Sequence, residues 1–552
     1  MRVIFVLFTI YSLVFNVGSC AAQLYGNNSA RIGRHVILNP KLSLFDQINK
    51  PNVVYEVIYD FDLKGEELTI PKGSILVFRG GRLFNGLVVG EKMPSNEVYK
   101  PENFGAGITK DDTYSIQSCL NVCHNVEMNG CYHVANTNKN KDNEILLVPS
   151  ETTIYLNGTV NLNPVNSPIY SLFVIKNSKS IVIKGKGSIV GDKETTNVQY
   201  GGHGMGISIN GESSNISIDG ISISSCFGDA IYIGIDAKEK PYMEPHNIVI
   251  RDCELFNCRR QGISIVIGHN IKIDNCFIHN IRGTAPESAI DIEPQYEGHH
   301  IYNVSITNSI FNDCVRTLCC GGSNISSDKI SVIGCSSNSG VIEWRLGGDA
   351  YFSNCSFMSS LYVDNIIIKN SSISSLFYKG DNQVIPLRPD ITALNSKFQV
   401  VGYVNPNCHI KMKKCIIDYP DDGRMLEGSP LRGGFLELDD CTCTGLGTNY
   451  KYPPEIIHLK ATRCSFQYNK SACLQGNVLD LFKCIILGKN IEEDNALIYA
   501  RKGGSKIMKC KVYYLNEESK TYIKVFREGE KGGLNVQKTK IISNNLNVDT
   551  SI

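Results

Sequence analysis

The chain has 552 residues, of which 55 are basic and 54 acidic, a formal net charge of +1. That balance provides neither the basic surface that nucleic acid selects nor a charged face for a membrane. Forty-nine glycines, abundant Asn and Ser, and many Ile-rich runs favour a turn-rich all-β protein over a helical one.

In chain order, residues 1–22 read as an export address and not as part of the fold. Arg2 supplies a minimal positive start, and Val3 to Phe15 is apolar apart from Thr9, Tyr11 and Ser12. The run is too short and too interrupted to span a bilayer, and small residues follow it. Cleavage after Ala22 is one reading. In the other, Val17-Gly18-Ser19-Cys20 resembles a bacterial lipoprotein box, with Cys20 as the lipidated first residue. Both predict an exported chain, whether secreted, periplasmic or anchored to the outer membrane. A lipid on Cys20 would be its one membrane attachment, since no later segment could anchor it.

Residues 23–100 read as a small β module. Alternating apolar residues and turn glycines run from Val57 to Asn85, as in Gly73-Ser-Ile-Leu-Val-Phe-Arg-Gly80-Gly81. Such a module would cap whatever sheet follows and protect its open end. Phe104-Gly105-Ala106 comes next, then Asp111-Asp112-Thr113-Tyr-Ser-Ile116-Gln117. Ile116, Leu120 and Cys123 at helical spacing predict a helix over 112–124, with Asp111 or Asp112 as its N-cap. Ile145 to Ser150 and Thr153 to Gly158 then alternate as strands.

These runs resemble the opening of the pectate-lyase superfamily of right-handed β-helix proteins. The resemblance covers residues 101 to about 310 and implies a right-handed parallel β-helix, with the helix covering one end of its core; a later cysteine ladder extends the architecture, and the β-helix is expected over residues 101–530. That fold commonly handles polysaccharides, but it is not an activity in itself.

Residues 206–310 carry the clearest periodicity. Gly206-Ile-Ser-Ile, Ala230-Ile-Tyr-Ile, Gly262-Ile-Ser-Ile and Ala289-Ile-Asp-Ile recur at steps of 24, 32 and 27 residues. A second set, Asn215-Ile-Ser-Ile, Asn247-Ile-Val-Ile, Asn270-Ile-Lys-Ile and Asn303-Val-Ser-Ile, recurs at 32, 23 and 33. Two strand patterns advancing together mark a solenoid whose Ile-x-Ile pairs point inward and stack coil on coil. The Asn-x-Ser/Thr sequences fall on this pattern and read as ladder residues, not glycan acceptors.

Twenty cysteines after Cys20 invite a disulfide reading, but their spacing opposes it. Cys253, Cys276, Cys335, Cys355, Cys415, Cys441, Cys464, Cys484 and Cys510 occupy one recurring slot, which Ser309, Ser371 and Ser396 fill elsewhere. One small inward side chain per coil predicts a stack of unpaired thiols. Metal binding is the sharper alternative, and no Cys-x-x-Cys pair supports it. Residues 376–407 contain Pro386, Pro389 and Pro406 and read as an insertion or loop-rich coil, and 531–552 as a polar tail or cap.

Chemistry is expected on the outer side of the 206–310 strands. With Ile290 and Ile292 inward, Asp291 and Glu293 point outward, in line with Ser264, Tyr232 and Ser208 on preceding coils. Coils about 4.8 Å apart put these groups within reach of one sugar unit. Residues 234–246 and the runs Cys258-Arg259-Arg260-Gln261 and Arg282 to Glu287 border the strip as loops. Two such carboxylates suit acid–base hydrolysis of a glycosidic bond. Ion pairing with Arg259, Arg260 or Arg282 is the plainer fate for them.

Asp229, in Phe227-Gly228-Asp229-Ala230, resembles one acid of the Gly-Asp-Asp segment of polygalacturonase-like glycosidases. The second acid of that pair is Ala230 here, and Gly202-His203-Gly204 precedes the segment where the family's glycine–histidine run follows it. Asp229 also fits a turn residue bonding its own backbone. Arg259, Arg260, Gln261, Tyr232, His203 and Glu287 are the expected sugar contacts. The two arginines also admit a β-elimination lyase, in which a cation neutralises a uronate carboxylate. Hydrolysis needs no cofactor, whereas a lyase would call for a divalent cation such as calcium, for which no ligand loop is spelled. Residues 259–294 resemble a signature of bacterial and phage β-helix proteins, tailspikes included. The expectation is an exported, polysaccharide-binding β-helix protein that hydrolyses its ligand, with a lyase or a non-catalytic adhesive protein as the alternatives.

Overall fold

The computed structural model describes residues 34–549 apart from 137–142, 236–242, 297, 322–325, 345–349, 364–365, 379–390, 404–408, 419–433, 446–457, 470–473, 492–495, 516–522, 530–532 and 545–547. The chain is a right-handed parallel β-helix with three strands per coil. The first sheet stacks 18 strands, from Val98–Tyr99 to Asn535–Gln537. In the coils up to Val341–Trp344 a short second-sheet strand follows, such as Glu254–Phe256, and then a third-sheet strand such as Gln261–Ile265; in the next coil one longer strand, Ser356–Val363, pairs with both. Residues 1–22, expected to be an export address, and with them Cys20, lie outside the described residues.

The two ladders read from sequence are the first and third sheets. Ile216, Ile248, Ile271 and Val304 are register partners in one, and Ile207, Ile231, Ile263, Ile290 and Leu318 in the other. All are essentially solvent-free and share one continuous hydrophobic core. Burying each isoleucine contributes about 1.5–3 kcal/mol.

The corners show why the sequence repeats as it does. Asn215, Asn247, Asn270 and Asn303 each turn the chain at φ between 54° and 57°, a left-handed conformation that Asn tolerates better than most residues. Their amides then hydrogen-bond from coil to coil at 3.2, 2.9 and 2.7 Å. At the next corner a left-handed residue again precedes each thiol, as Asp252 does Cys253 and Asn275 does Cys276. The Cys276 thiol donates to the carbonyls of Asp274 and of Ile250 on the preceding coil, at 3.5 and 3.7 Å. Ser309 fills the slot by donating to Thr307 O, two residues back as in Cys276, at 2.9 Å. The thiols are thus weak donors as well as small hydrophobes, and every described cysteine is free.

Residues 34–90 form short parallel pairings of their own, such as Glu67–Ile70 on Leu87–Gly90, and share the core of the coils. The helix spans Thr113–Val122 and joins two strand edges. Ser118 Oγ accepts from Val88 N at 2.8 Å and Asn121 donates to Val88 O at 3.0 Å, while Gln117 pairs with both backbone groups of Leu147. Asp111 Oδ1 accepts from Thr113 N at 3.0 Å at the helix start, whereas Asp112 ties down Gly107 N and His133 N instead.

The described part of 376–407 corrects the loop expectation. Ser372–Tyr378, Ile391–Leu394 and Lys397–Tyr403 are strands in register with their neighbours. Their inward residues Ile373, Leu376, Ile391, Ala393 and Phe398 differ in size and spacing, which hid the period. Asn535–Gln537 and Lys540–Ser543 extend the first sheet and its neighbour into the C-terminal tail.

Candidate functional site

The site is built on the outer side of the third sheet by Asp229–Gly234, Gln261–Ile265, Ser288–Ile292 and Arg316–Cys320. Register partners Ser208, Tyr232, Ser264, Asp291 and Cys319 form one row. Asp229, Gln261, Ser288 and Arg316 form a second row nearer the strand starts. A local irregularity creates that second row. Ala230 and Ile231 are consecutive, yet both belong to the core, as do Ala289 and Ile290. An added Cβ at Gly262 would meet Ile278 Cγ2 inside the core at 2.5 Å. Two inward residues in succession shift the parity, so Asp229 faces the same side as Ser264 and Asp291.

Arg260 is the hub. Its Nη1 lies 3.6 Å from Asp229 Oδ2, its Nη2 3.4 Å from Glu293 Oε2, and Nη1 donates to Gln261 Oε1 at 3.0 Å. With its oxygen held by Arg260, the Gln261 amide turns its NH2 to Asp291 Oδ2 and donates to it. Ser264 Oγ donates to Asp229 Oδ2 at 2.6 Å. Asp229 and Asp291 are 0% and 1% exposed, and the Oδ1 atom of each is buried with no hydrogen-bond partner.

Burial dominates the electrostatics. It pushes Asp229 up to about 7, against the downward pull of Arg260 and Ser264, with Glu293 adding to the rise. Asp291 is likewise pushed up to about 7, first by burial and then by Glu293 beside it. His203, still open to solvent, is lowered by partial burial and by the Arg260 guanidinium, and Glu293 partly offsets this. Glu293 itself is 39% exposed at the side chain.

Asp291, Glu293, Asp229, Arg260, Gln261 and His203 are therefore brought together. Tyr232 joins them at the edge, its ring lying over Gly234, where a Cβ would sit 2.2 Å from the phenol oxygen. Burial raises its hydroxyl to about 12. Two expected contacts are engaged elsewhere. Arg259 stacks on Phe227 at 4.3 Å and donates to Thr284 Oγ1 and Gln199 O at 2.8 and 3.0 Å, fastening the 191–202 loop to the coil. Glu287 sits at φ 57° and accepts from Gly283 N at 2.8 Å, closing its own turn. Arg282 donates weakly to Asp313 O at 3.4 Å and takes no part either. Most of the loop at 234–246 lies outside the described residues.

The next coils add what the sequence reading missed. Cys319 lies alongside Asp291, and Arg316 Nε is 3.7 Å from Glu343 Oε2, which is the register partner of Cys319. Their places on the ladder, one coil further in the same row, were the available signal. Among the described residues no group of three or more His, Cys, Asp or Glu side chains could hold a metal ion.

No family model matches the chain. Over 230 residues it is 31% identical to uncharacterized protein YclG of Bacillus subtilis (strain 168), covering 36% of this chain and 39% of that one. Over 183 residues it is 27% identical to the SPbeta prophage-derived uncharacterized protein YorA of the same organism, covering 30% and 31%. The chain thus spans well under half the length of these curated relatives. Among solved structures, the bacteriophage Phi29 gene product 12 N-terminal fragment is similar at TM-score 0.39 and 14% identity, covering 80% of this chain and 93% of that one. The Azotobacter vinelandii mannuronan C-5 epimerase AlgE6 A-module gives TM-score 0.33 at 12% identity, covering 80% and 99%. The tailspike protein of E. coli bacteriophage HK620 in complex with pentasaccharide gives 0.30 at 11%, covering 81% and 77%.

Proposed function

We propose that this chain is an exported protein that binds a polysaccharide and hydrolyses it by acid–base catalysis. The observation that carries the reading is a buried carboxyl, Asp291, pushed up to about 7 next to an exposed carboxylate two residues on. A general acid works best when its pKa lies near the working pH. Asp291 meets that condition, and its Oδ2 is occupied by the Gln261 amide. In this reading the Asp291 proton passes to the glycosidic oxygen as the bond to the anomeric carbon breaks, once the Gln261 amide swings away to open the carboxyl to the sugar.

Glu293, 3.4 Å from Arg260, takes a proton from the water whose oxygen forms the new bond to that carbon. Backbone positions i and i+2 on a strand are about 6.5–7 Å apart, in keeping with the roughly 6.5–9.5 Å between carboxyl groups that leaves room for this water. Asp229, beneath Arg260, is a further acid that helps hold the guanidinium in place. Arg260, His203 and Tyr232 frame the sugar. The resemblance of the chain opening to the pectate-lyase superfamily adds support for a polysaccharide ligand.

The test is to incubate the purified protein and its Asp291→Asn variant with a panel of neutral and uronate polysaccharides. New reducing ends without unsaturated-uronate absorbance are expected from the wild type, and a loss of at least a hundredfold in the variant. Unsaturated products would turn the reading to a lyase. Binding without any product would leave an adhesive protein.

A further inference from the structure

We infer that the outer strip over Asp229, Asp291 and Glu293 takes a neutral glycan, whose rings carry hydroxyl or N-acyl groups and no carboxylate; this rests on the hydrolase reading of the same site. The warrant is the state of the cations. A uronate recognised at a partly buried site needs a cation whose hydrogen-bonding edge is free to neutralise it. Among the described residues of this strip and its borders, each cation is already engaged. Arg260 lies between Asp229 and Glu293 at 3.6 and 3.4 Å and also holds Gln261, with only 14% of its side chain exposed. Arg316 faces Glu343 at 3.7 Å and donates to Pro286 O at 2.6 Å. Arg259 covers the Phe227 ring and binds Gln199 O. The His203 ring is held toward its neutral form by partial burial and by Arg260.

Against these stand three carboxyl groups, Asp291 and Glu293 on one coil and Asp229 two coils before it. A sugar carboxylate placed there would meet Glu293 as a like charge, whereas a hydroxyl finds partners. Glu293, with 39% of its side chain exposed, can accept from a sugar hydroxyl at the surface.

A matched pair of ligands tests this. Alginate and polygalacturonate are compared with the same polymers after carboxyl reduction, alongside an array of neutral oligosaccharides, with binding and reducing ends measured on the full chain. Neutral ligands are expected to bind at least tenfold more tightly than any uronate polymer. Glu293→Gln removes the like charge and frees one edge of Arg260, so it should raise affinity for the acidic polymers by about tenfold. Tighter binding of the acidic parents by the wild type overturns the inference. If reducing ends appear only from those parents, hydrolysis stands and neutrality falls. Neutral binding without reducing ends keeps the inference and removes hydrolysis. No binding by any ligand overturns both.

Discussion

Two outer rows of the same β-helix handle charge in opposite ways. On the first sheet, Lys411, Glu437, Lys460, Asp480 and Lys506 are register partners on successive coils, alternating in sign. Glu437 lies 3.5 Å from Lys411 and 3.3 Å from Lys460, with both lysines more than half exposed. Partial burial pushes Glu437 up, but Lys460 and Lys411 outweigh it and its pKa falls below the ordinary value. On the third sheet, Asp229, Asp291 and Glu293 gather around one arginine, and the two aspartates are buried and raised to about 7. Strand register positions both sets. The difference lies in alternation of sign and access of water, and only the second row stores groups poised to exchange protons near neutrality.

The largest expected effect breaks that comparison at its sharper end. Asp291→Asn should lower hydrolysis by about 10²–10⁴-fold, the usual range for a general acid, while Glu437→Gln leaves the rate within twofold. Reducing-end assays on both variants check it, and equal rates in wild type and Asp291→Asn would remove Asp291 from the chemistry. Wild-type activity should also fall as pH rises through about 7, where Asp291 loses its proton.

Stability against pH gives the second test. Asp229 keeps its proton up to about 7 when folded, whereas its ordinary value is 3.8. The folded state therefore binds more protons than the unfolded state between those values. This contribution is fully present below pH 4 and is lost as pH rises to 7. Between pH 5 and 8 the loss is about 3 kcal/mol at most, from about 1.4 kcal/mol per pH unit. Urea unfolding at the two pH values should show the decline, and Asp229→Asn should remove its share and leave the matching share of Asp291. The first-sheet row predicts the reverse slope at acid pH, because Glu437 is lowered.

How much of this was legible in the sequence depends on which rule governs each residue. Strict alternation placed Asp291 outward, and the register ladder aligned it with Ser264 and Tyr232. Alternation could not place Asp229, because Ala230 and Ile231 both turn inward. Burial was illegible as well. An outward position on a sheet reads as exposed, yet Asp291 is covered by residues from other coils and loops, which a period does not report. Arg259, Arg260 and Gln261 are consecutive, so spacing could not show that the first fastens a loop while the other two reach the carboxylates. The thiol slot was plain, because each position faces the same corner of every coil.

That slot supplies the third test, an inner counterpart to the outer rows. Cys464 is buried between the coils of Cys441 and Cys484, and its thiol donates to Thr462 O at 3.3 Å. Cys464→Ser keeps the donor and the size, as Ser309 does naturally, and should cost under about 1 kcal/mol. Cys464→Leu overfills the corner and should cost about 1–3 kcal/mol. Equal costs would mean that volume does not set the identity of this slot.

The smallest effect belongs to the alternating row itself. Glu437→Gln removes both ion pairs with Lys411 and Lys460 but leaves the carbon skeleton and one acceptor in place. Pairs between half-exposed groups contribute about 0–1 kcal/mol each, because water and salt screen them and the long lysine side chains lose freedom to form them. Glu437→Gln should therefore destabilise the chain by under about 1 kcal/mol at low salt and by less at 0.5 M salt. Arg260→Gln on the other row should cost more at either salt at pH 8, where Asp229 has lost its proton and is left charged in a site that ions do not reach. A salt-sensitive loss in Arg260→Gln equal to that in Glu437→Gln would show that the two rows differ in sequence only and not in their access to water.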